Sequence, residues 1–214
     1  MIANPLKIAK KDMSVNATIL LASTSIYRKA LLEKLTQDFI VCKPDVDETP
    51  LPNETPLELV RRLAIAKAKA GADQCGVSGK ILSIGSDQIA LFNQEILGKP
   101  HTPDNAFAQL TKFSGHHVQF LTGLAVYDSI SEQVEVIVEP FSVYFRTLTA
   151  DEIWRYIERE QPLHCAGSFK SEGLGITLFE KFEGQDPNSL IGLPLIRLHA
   201  MLKHFGVDLL LRGE

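Results

Sequence analysis

The chain has 214 residues and a formal net charge of -4 at pH 7. That length supports one large domain or two small ones around a sizeable core. The acidic balance argues against broad nucleic-acid binding, which leaves a basic stripe, so an anionic ligand requires a local basic pocket.

Residues 1–16 mix Lys7, Lys10, Lys11 and Asp12 with short apolar stretches. They lack the apolar core of a secretory signal and read as a loose extension ahead of a domain over 17–214. Residues 18–23 form a buried-strand pattern, and a helix capped by Ser25 is expected over 25–35. This junction points free N–H groups, a positive helix end and Arg28 toward one spot, which suits a phosphate. The same hydroxyls also fit plain helix capping. Thr55-Pro56-Leu57-Glu58 is a capping box with proline at the first helical position, so a helix should run to about Ala70.

Ile81 to Phe92 reads as a strand interrupted by the polar insert Gly85-Ser86-Asp87-Gln88. Thr102-Pro103-Asp104 opens another helix, which Ser114-Gly115 ends. Residues 117–127 and 134–146 alternate as a half-buried hairpin joined by a polar run from Asp128 to Gln133. Thr149-Ala150-Asp151-Glu152 is a second capping box, opening a helix through Trp154 and Ile157. The last helix begins near Leu193-Pro194 and ends before Gly206. The pattern is mixed α/β with an antiparallel element, in two lobes sharing a cleft.

Asp87 stands where a core strand should stay apolar, and a buried carboxylate must be paired, hydrogen-bonded or metal-bound. A turn with Asp87 on the surface is the bland alternative. Asp45-Val46-Asp47-Glu48 reads first as a solvated acidic loop. Carboxylates from two separate loops are nevertheless what a hard divalent cation takes up together with phosphate oxygens. Lys67, Lys99 in Gly98-Lys99-Pro100, and Arg28 are candidates for neutralising a triphosphate, or ordinary surface cations. The loop from Cys165 to Gly175 carries Glu172 among glycines that permit close backbone approach. It contains neither a Walker A motif nor GxGxxG.

His116 and His117 are adjacent on a strand and face opposite sides, so they cannot share a ligand. HExxH and GxSxG are absent, which leaves zinc hydrolysis and serine catalysis unsupported. Cys42, Cys75 and Cys165 are an odd, widely spaced set that reads as reduced thiols. No stretch reaches the roughly 18 apolar residues of a membrane span. A cytoplasmic protein without membrane or nucleic-acid partners is expected.

Four motifs together carry a resemblance. Leu21-Ala22-Ser23-Thr24-Ser25 with Arg28 and Leu31-Leu32, Val46-Asp47-Glu48-Thr49, Gly85-Ser86-Asp87-Gln88 and Gly98-Lys99-Pro100 resemble the Maf nucleotide pyrophosphatases in order and spacing. The resemblance runs from about residue 17 to the final helix. It implies an inosine triphosphatase-like fold, with a long mixed sheet in two lobes around a deep cleft. It also implies hydrolysis of a nucleoside triphosphate to monophosphate and pyrophosphate with Mg²⁺ or Mn²⁺, and it alone suggests a homodimer.

Tyr27, Gln88 and Glu172 match the 7-methyl-GTP pyrophosphatase subfamily, where the dTTP/UTP subfamily carries Arg, Thr and Gln. The subfamily pattern favours Trp at Tyr27 and Pro at Ile26, and its run of arginines is reduced here to Arg28-Lys29. By this resemblance Glu48 and Asp87 hold the metal and Asp87 is the general base. Arg28, Lys67 and Lys99 absorb charge, Ser23 cradles phosphate oxygens, and Tyr27, Gln88 and Glu172 belong to substrate selection. The alternatives are a dTTP/UTP or broad modified-nucleotide pyrophosphatase, a nucleotide sensor, or a division-linked regulator.

Overall fold

The computed structural model describes residues 17–212; the extension expected over 1–16 lies outside them. The elements in chain order are β1 (Thr18–Ala22), α1 (Ile26–Leu32), β2 (Ile40–Cys42), α2 (Pro56–Gln74), β3 (Ile81–Phe92), β4 (Glu95–Leu97) and α3 (Pro103–Phe113). They continue with β5 (His117–Asp128), β6 (Val134–Phe145), α4 (Ala150–Glu160), two 3₁₀ turns (Ala166–Ser168 and Leu174–Leu178), β7 (Phe179–Gly184), α5 (Asn188–Ile191) and α6 (Leu195–His204).

One mixed sheet runs β2-β1-β3-β5-β6-β7, with β4 added to β3. The strands β2, β1 and β3 are parallel, while β5, β6 and β7 continue antiparallel. Alternation along β3 splits its side chains between two layers. Leu82 and Ile84 join Ile19 and Leu21 of β1 in a core under α1 and α6. On the opposite face, Ala125 of β5 packs against Ala64 and Ala68 of α2. Farther along β5 and β6, Phe120, Phe141 and Phe145 pack with Phe113 of α3 and Ile153 of α4 in a separate core. These two cores are the two lobes.

Helix α2 lies unusually close to the sheet because its contacts are small. A Cβ on Gly85 would fall 2.2 Å from the Ala64 carbonyl oxygen, and one on Gly123 would fall 2.3 Å from that of Val60. The Thr55–Glu58 capping box is formed with Pro56 in the first turn, and the Thr149–Glu152 box likewise opens α4.

Several expectations change. The polar insert does not interrupt β3: Gly85, Ser86, Asp87 and Gln88 pair with Ala125, Leu124, Gly123 and Thr122 in an unbroken ladder. Backbone pairing is indifferent to side-chain polarity, and each polar group here finds its own partner. Helix α1 stops at Leu32, after which Lys34 and Leu35 bond back three residues instead of four. Helix α2 continues to Gln74, four residues past the expected end. The short β2, β4, β7 and α5 were not expected. The β3–β4 hairpin turns on Asn93 and Gln94, both at positive φ, a two-residue turn without the glycine that usually signals it.

Candidate active site

The cleft is a consequence of strand length. Strand β1 stops pairing with β3 at Gly85, and β4 begins pairing on that same edge only at Ala90. Among the described residues, Ser86 to Ile89 therefore have no strand neighbour on that side. Strand β1 is also the point from which successive parallel connections leave in opposite directions, with α1 and α2 on opposite faces. Ligands in open α/β sheets bind beyond the carboxyl ends of strands at such a point.

The cleft measures about 520 Å³ where Ser23, Arg28, Lys43, Glu48, Lys67 and Lys99 line it. It continues into a second chamber of about 350 Å³, lined by Tyr27, Asp87, Gln88, Phe120, Phe169 and Glu172 among others. Tyr27, Arg28, Glu48, Lys99 and His164 face both. All nine residues singled out in the sequence thus border one continuous space.

At its floor Lys67 Nζ donates to Asp87 Oδ1 at 2.7 Å and meets Glu48 Oε1 at 2.7 Å. Lys67 and Asp87 are each only 8% exposed. An unpartnered carboxylate there would cost several kcal/mol, which this pairing offsets. Lys67 reaches Asp87 because the Gly85 and Gly123 contacts bring α2 down onto the sheet. Glu48, by contrast, sits on an open loop. That loop is fastened by Arg62, which donates to both Glu54 oxygens at 2.6 and 2.8 Å and to the Thr49 carbonyl at 3.1 Å. Hydrogen bonding from Arg62 brings the Glu54 carboxyl down to about 2.

Ser25 caps α1 by accepting from the Arg28 amide. Ser23 Oγ accepts from the Ser25 amide at 3.1 Å and lies 3.5 Å from Arg28 Nη1. Ser25 is thus a capping residue, and Ser23 borders the cleft at the same turn. Arg28 Nε donates to the Gly192 carbonyl at 2.9 Å, which fixes the guanidinium plane. Burial lowers the Arg28 pKa, and the nearby Asp87 and Glu48 charges oppose that shift.

Gln88 points to the other face of β3. Its Nε2 donates to Thr122 Oγ1 at 2.9 Å and to the Ser189 and Leu190 carbonyls at 2.7 and 3.2 Å. Ser86 Oγ donates to the Gly192 carbonyl at 2.8 Å. Gln88 and Ser86 thus hold α5, whose Leu190 and Ile191 wall the inner chamber. Buried Asp186 completes this support: Oδ1 accepts from both nitrogens of Asn188, and Oδ2 accepts from the Ile196 amide at the start of α6.

Across the chamber Tyr27 faces the Glu172 loop. Burial raises the Tyr27 hydroxyl pKa, with Cys165 and Glu172 adding to the rise and Lys170 opposing it. Phe120 and Phe169 meet edge to face, at 5.4 Å between centroids, beneath this space.

Lys43, Phe120, His164 and Phe169 line the cleft without having been singled out. Lys43 was within reach of sequence reasoning, since it follows the apolar run Phe39-Ile40-Val41 at the carboxyl end of a parallel strand. The two phenylalanines carry only a core signal. Among the described residues no group of three or more His, Cys, Asp or Glu side chains is arranged to hold a metal ion. Glu48 and Asp87 nevertheless converge on one point, the Lys67 ammonium. Two hard oxygen donors suffice for Mg²⁺ when substrate phosphates and waters supply the rest.

An open α/β sheet whose switch point gathers four cations and two carboxylates defines a protein built to hold a polyanion. The chain belongs to the Maf-like protein family, which it matches over residues 18–205. It is 55% identical over 192 residues to a protein of Pseudoalteromonas translucida named 7-methyl-GTP pyrophosphatase, covering 90% of this chain and 94% of that one. A Vibrio cholerae protein of the same name is 50% identical over 195 residues, covering 91% and 99%. A solved structure of the Staphylococcus aureus Ham1 protein aligns at a TM-score of 0.45 and 16% identity, covering 88% of this chain and 99% of that one. That likeness is too loose to add to the strand order described above. Among the described residues no helix is long and apolar enough to cross a membrane.

Proposed function

We propose that this chain hydrolyses 7-methyl-GTP to 7-methyl-GMP and pyrophosphate. The observation that carries the reading is the cleft's polarity along its length. Lys43 and Lys67 line only the outer chamber, Phe120, Phe169 and Glu172 line only the inner one, and Tyr27, Arg28, Glu48 and Lys99 stand where the two join. A triphosphate fits the outer chamber and a purine the inner one. The naming of relatives at 50–55% identity supports the same substrate.

N7-methylation makes guanine cationic, and stacking a cation on Tyr27 contributes about 0.5–2 kcal/mol. Glu172 can accept from the guanine N1–H and exocyclic amine, and hydrogen bonds to a charged group contribute about 1.5–3 kcal/mol each. A uracil or thymine offers that carboxylate a single imide N–H.

In the reaction, Asp87 accepts the proton of a water that attacks the α-phosphorus. The new P–O bond forms as the bond to the bridging oxygen of the β-phosphate breaks, and pyrophosphate leaves. Arg28, Lys67 and Lys99 stabilise the charge that develops on the phosphate oxygens, while Ser23 and the start of α1 hold the chain of phosphates in line. Lys67 fixes Asp87 in orientation through their 2.7 Å contact. Glu48 and Asp87 would hold Mg²⁺ or Mn²⁺, which when bound supplies Lewis-acid neutralisation of the triphosphate.

The test is pyrophosphate release from 7-methyl-GTP, GTP, dTTP and UTP, side by side, with Mg²⁺ or Mn²⁺. A strong preference for 7-methyl-GTP is expected. Preference for dTTP or UTP overturns the specificity, and no release from any of the four overturns the catalytic reading.

A further inference from the structure

The loop that carries Glu172 is built around a second carboxylate that lies outside the cleft lining. Glu160, at the end of α4, accepts from the Leu174 amide through Oε2 at 2.8 Å. Its Oε1 lies 3.7 Å from Lys170 Nζ, and that ammonium also donates to the Glu160 carbonyl at 2.7 Å. One residue therefore grips the segment on both sides of Glu172.

The backbone between those grips is shaped to the carboxylate. A Cβ on Gly173 would fall 3.0 Å from both Glu160 oxygens. Gly175 passes so close under Lys170 that a Cβ there would fall 2.3 Å from its carbonyl oxygen. Tyr156, one turn earlier on α4, is buried and its hydroxyl accepts from the Lys170 amide at 3.0 Å. Among the described residues the Glu172 carboxylate accepts only from its neighbour Ser171, at 3.4 Å. Its position in the chamber is therefore set by the backbone on either side, and that backbone is set by Glu160.

We infer that Glu160 is a positioning residue for base selection: it acts through Glu172 by fixing the Lys170–Leu174 segment, and it does not touch the substrate. The inference rests on the proposed reading of this cleft as a site for a methylated purine triphosphate. It predicts a division of kinetic effects. Loosening the loop weakens recognition of the base and leaves the phosphate end intact, so KM should change far more than kcat. Losing the charge-assisted anchor should raise KM for 7-methyl-GTP by about tenfold or more and narrow its preference over GTP and dTTP.

The experiment is a double-mutant cycle on the full chain, using steady-state pyrophosphate release with 7-methyl-GTP, GTP and dTTP. It compares the wild type with Glu160→Ala, Glu172→Ala and the double variant. Glu160→Gln keeps an acceptor for the Leu174 amide while losing the charge toward Lys170. It should fall between wild type and Glu160→Ala, and it serves in its place should the alanine variant fail to fold. The expected result is a KM effect of Glu160→Ala that largely vanishes in the Glu172→Ala background, because both act through one contact.

Additive effects of the two substitutions would overturn the inference, as would an equal loss of kcat on all three nucleotides with a lowered melting temperature. A wild-type KM and preference in Glu160→Ala would also overturn it. Wild-type inactivity on every nucleotide would instead count against the proposed function itself, so the two failures are distinguishable.

Discussion

Asp87 and Lys67 form a buried pair, and Lys67 keeps Glu48 as a second carboxylate partner. Replacing Asp87 by Asn keeps the shape and removes the proton acceptor, so turnover should fall by about 10²–10⁴-fold while the melting temperature changes little. Near-normal hydrolysis by Asp87→Asn would exclude it as the base. Lys67→Met is expected to do more damage to the fold. It leaves Asp87 buried without its cation, a loss of about 3–5 kcal/mol for breaking a buried pair, read from the urea midpoint. Glu48 is different, its side chain being 61% exposed. Glu48→Gln should therefore leave stability nearly unchanged and raise the Mg²⁺ concentration needed for half-maximal pyrophosphate release. Gln88 shows how a residue tied by family pattern to substrate choice can serve through structure, since its amide nitrogen is engaged with Thr122 and α5.

At the scale of elements, the decisive contact is α2 on the sheet. Gly85→Ala should force the helix away from β3 and lower stability by about 1–3 kcal/mol. Because the same shift pulls Lys67 from Asp87, activity should fall beyond what the loss of folded protein explains; unchanged kcat in the folded fraction would contradict this. The loop bearing Glu48 depends on Arg62 and Glu54. Hydrogen bonding from Arg62 depresses the Glu54 carboxyl from 4.5 to about 2. The stabilisation from this pair is therefore complete above about pH 4.5 and is lost as the pH falls toward about 2. The protection factor of the Leu51 amide, whose N–H donates to Glu54, should fall across that window and hold at neutral pH. Arg62→Met should abolish the transition.

At the scale of the whole molecule, the two lobes meet where β3 has no neighbour on one edge, and the cleft is this gap. Much of the framework was legible beforehand. The capping boxes at Thr55 and Thr149 and the alternation through Val134 and Phe145 are local signals, and the structure forms those elements close to where they were expected. The unbroken course of β3 was not legible, because a Gly-Ser-Asp-Gln run resembles a turn until its ladder partners on β5 are known. The short β2, β4 and β7 were hidden for a related reason: three to six residues carry too little periodicity, and their stability comes from neighbours distant in sequence.

The sequence by itself determined which residues were candidates for the site. Asp87 stands out because a carboxylate inside an apolar strand needs a partner, whereas Glu48, Lys67, Lys99 and Glu172 also had ordinary surface or loop readings until the four motifs matched the family pattern together. Only the tertiary structure decided how these groups are used. Lys67 spans Asp87 and Glu48, Gln88 braces α5, and Glu160 holds the loop of Glu172. Each of these roles is a contact a few ångströms long between elements placed by packing, and side-chain identity alone does not encode which partner lies within that distance.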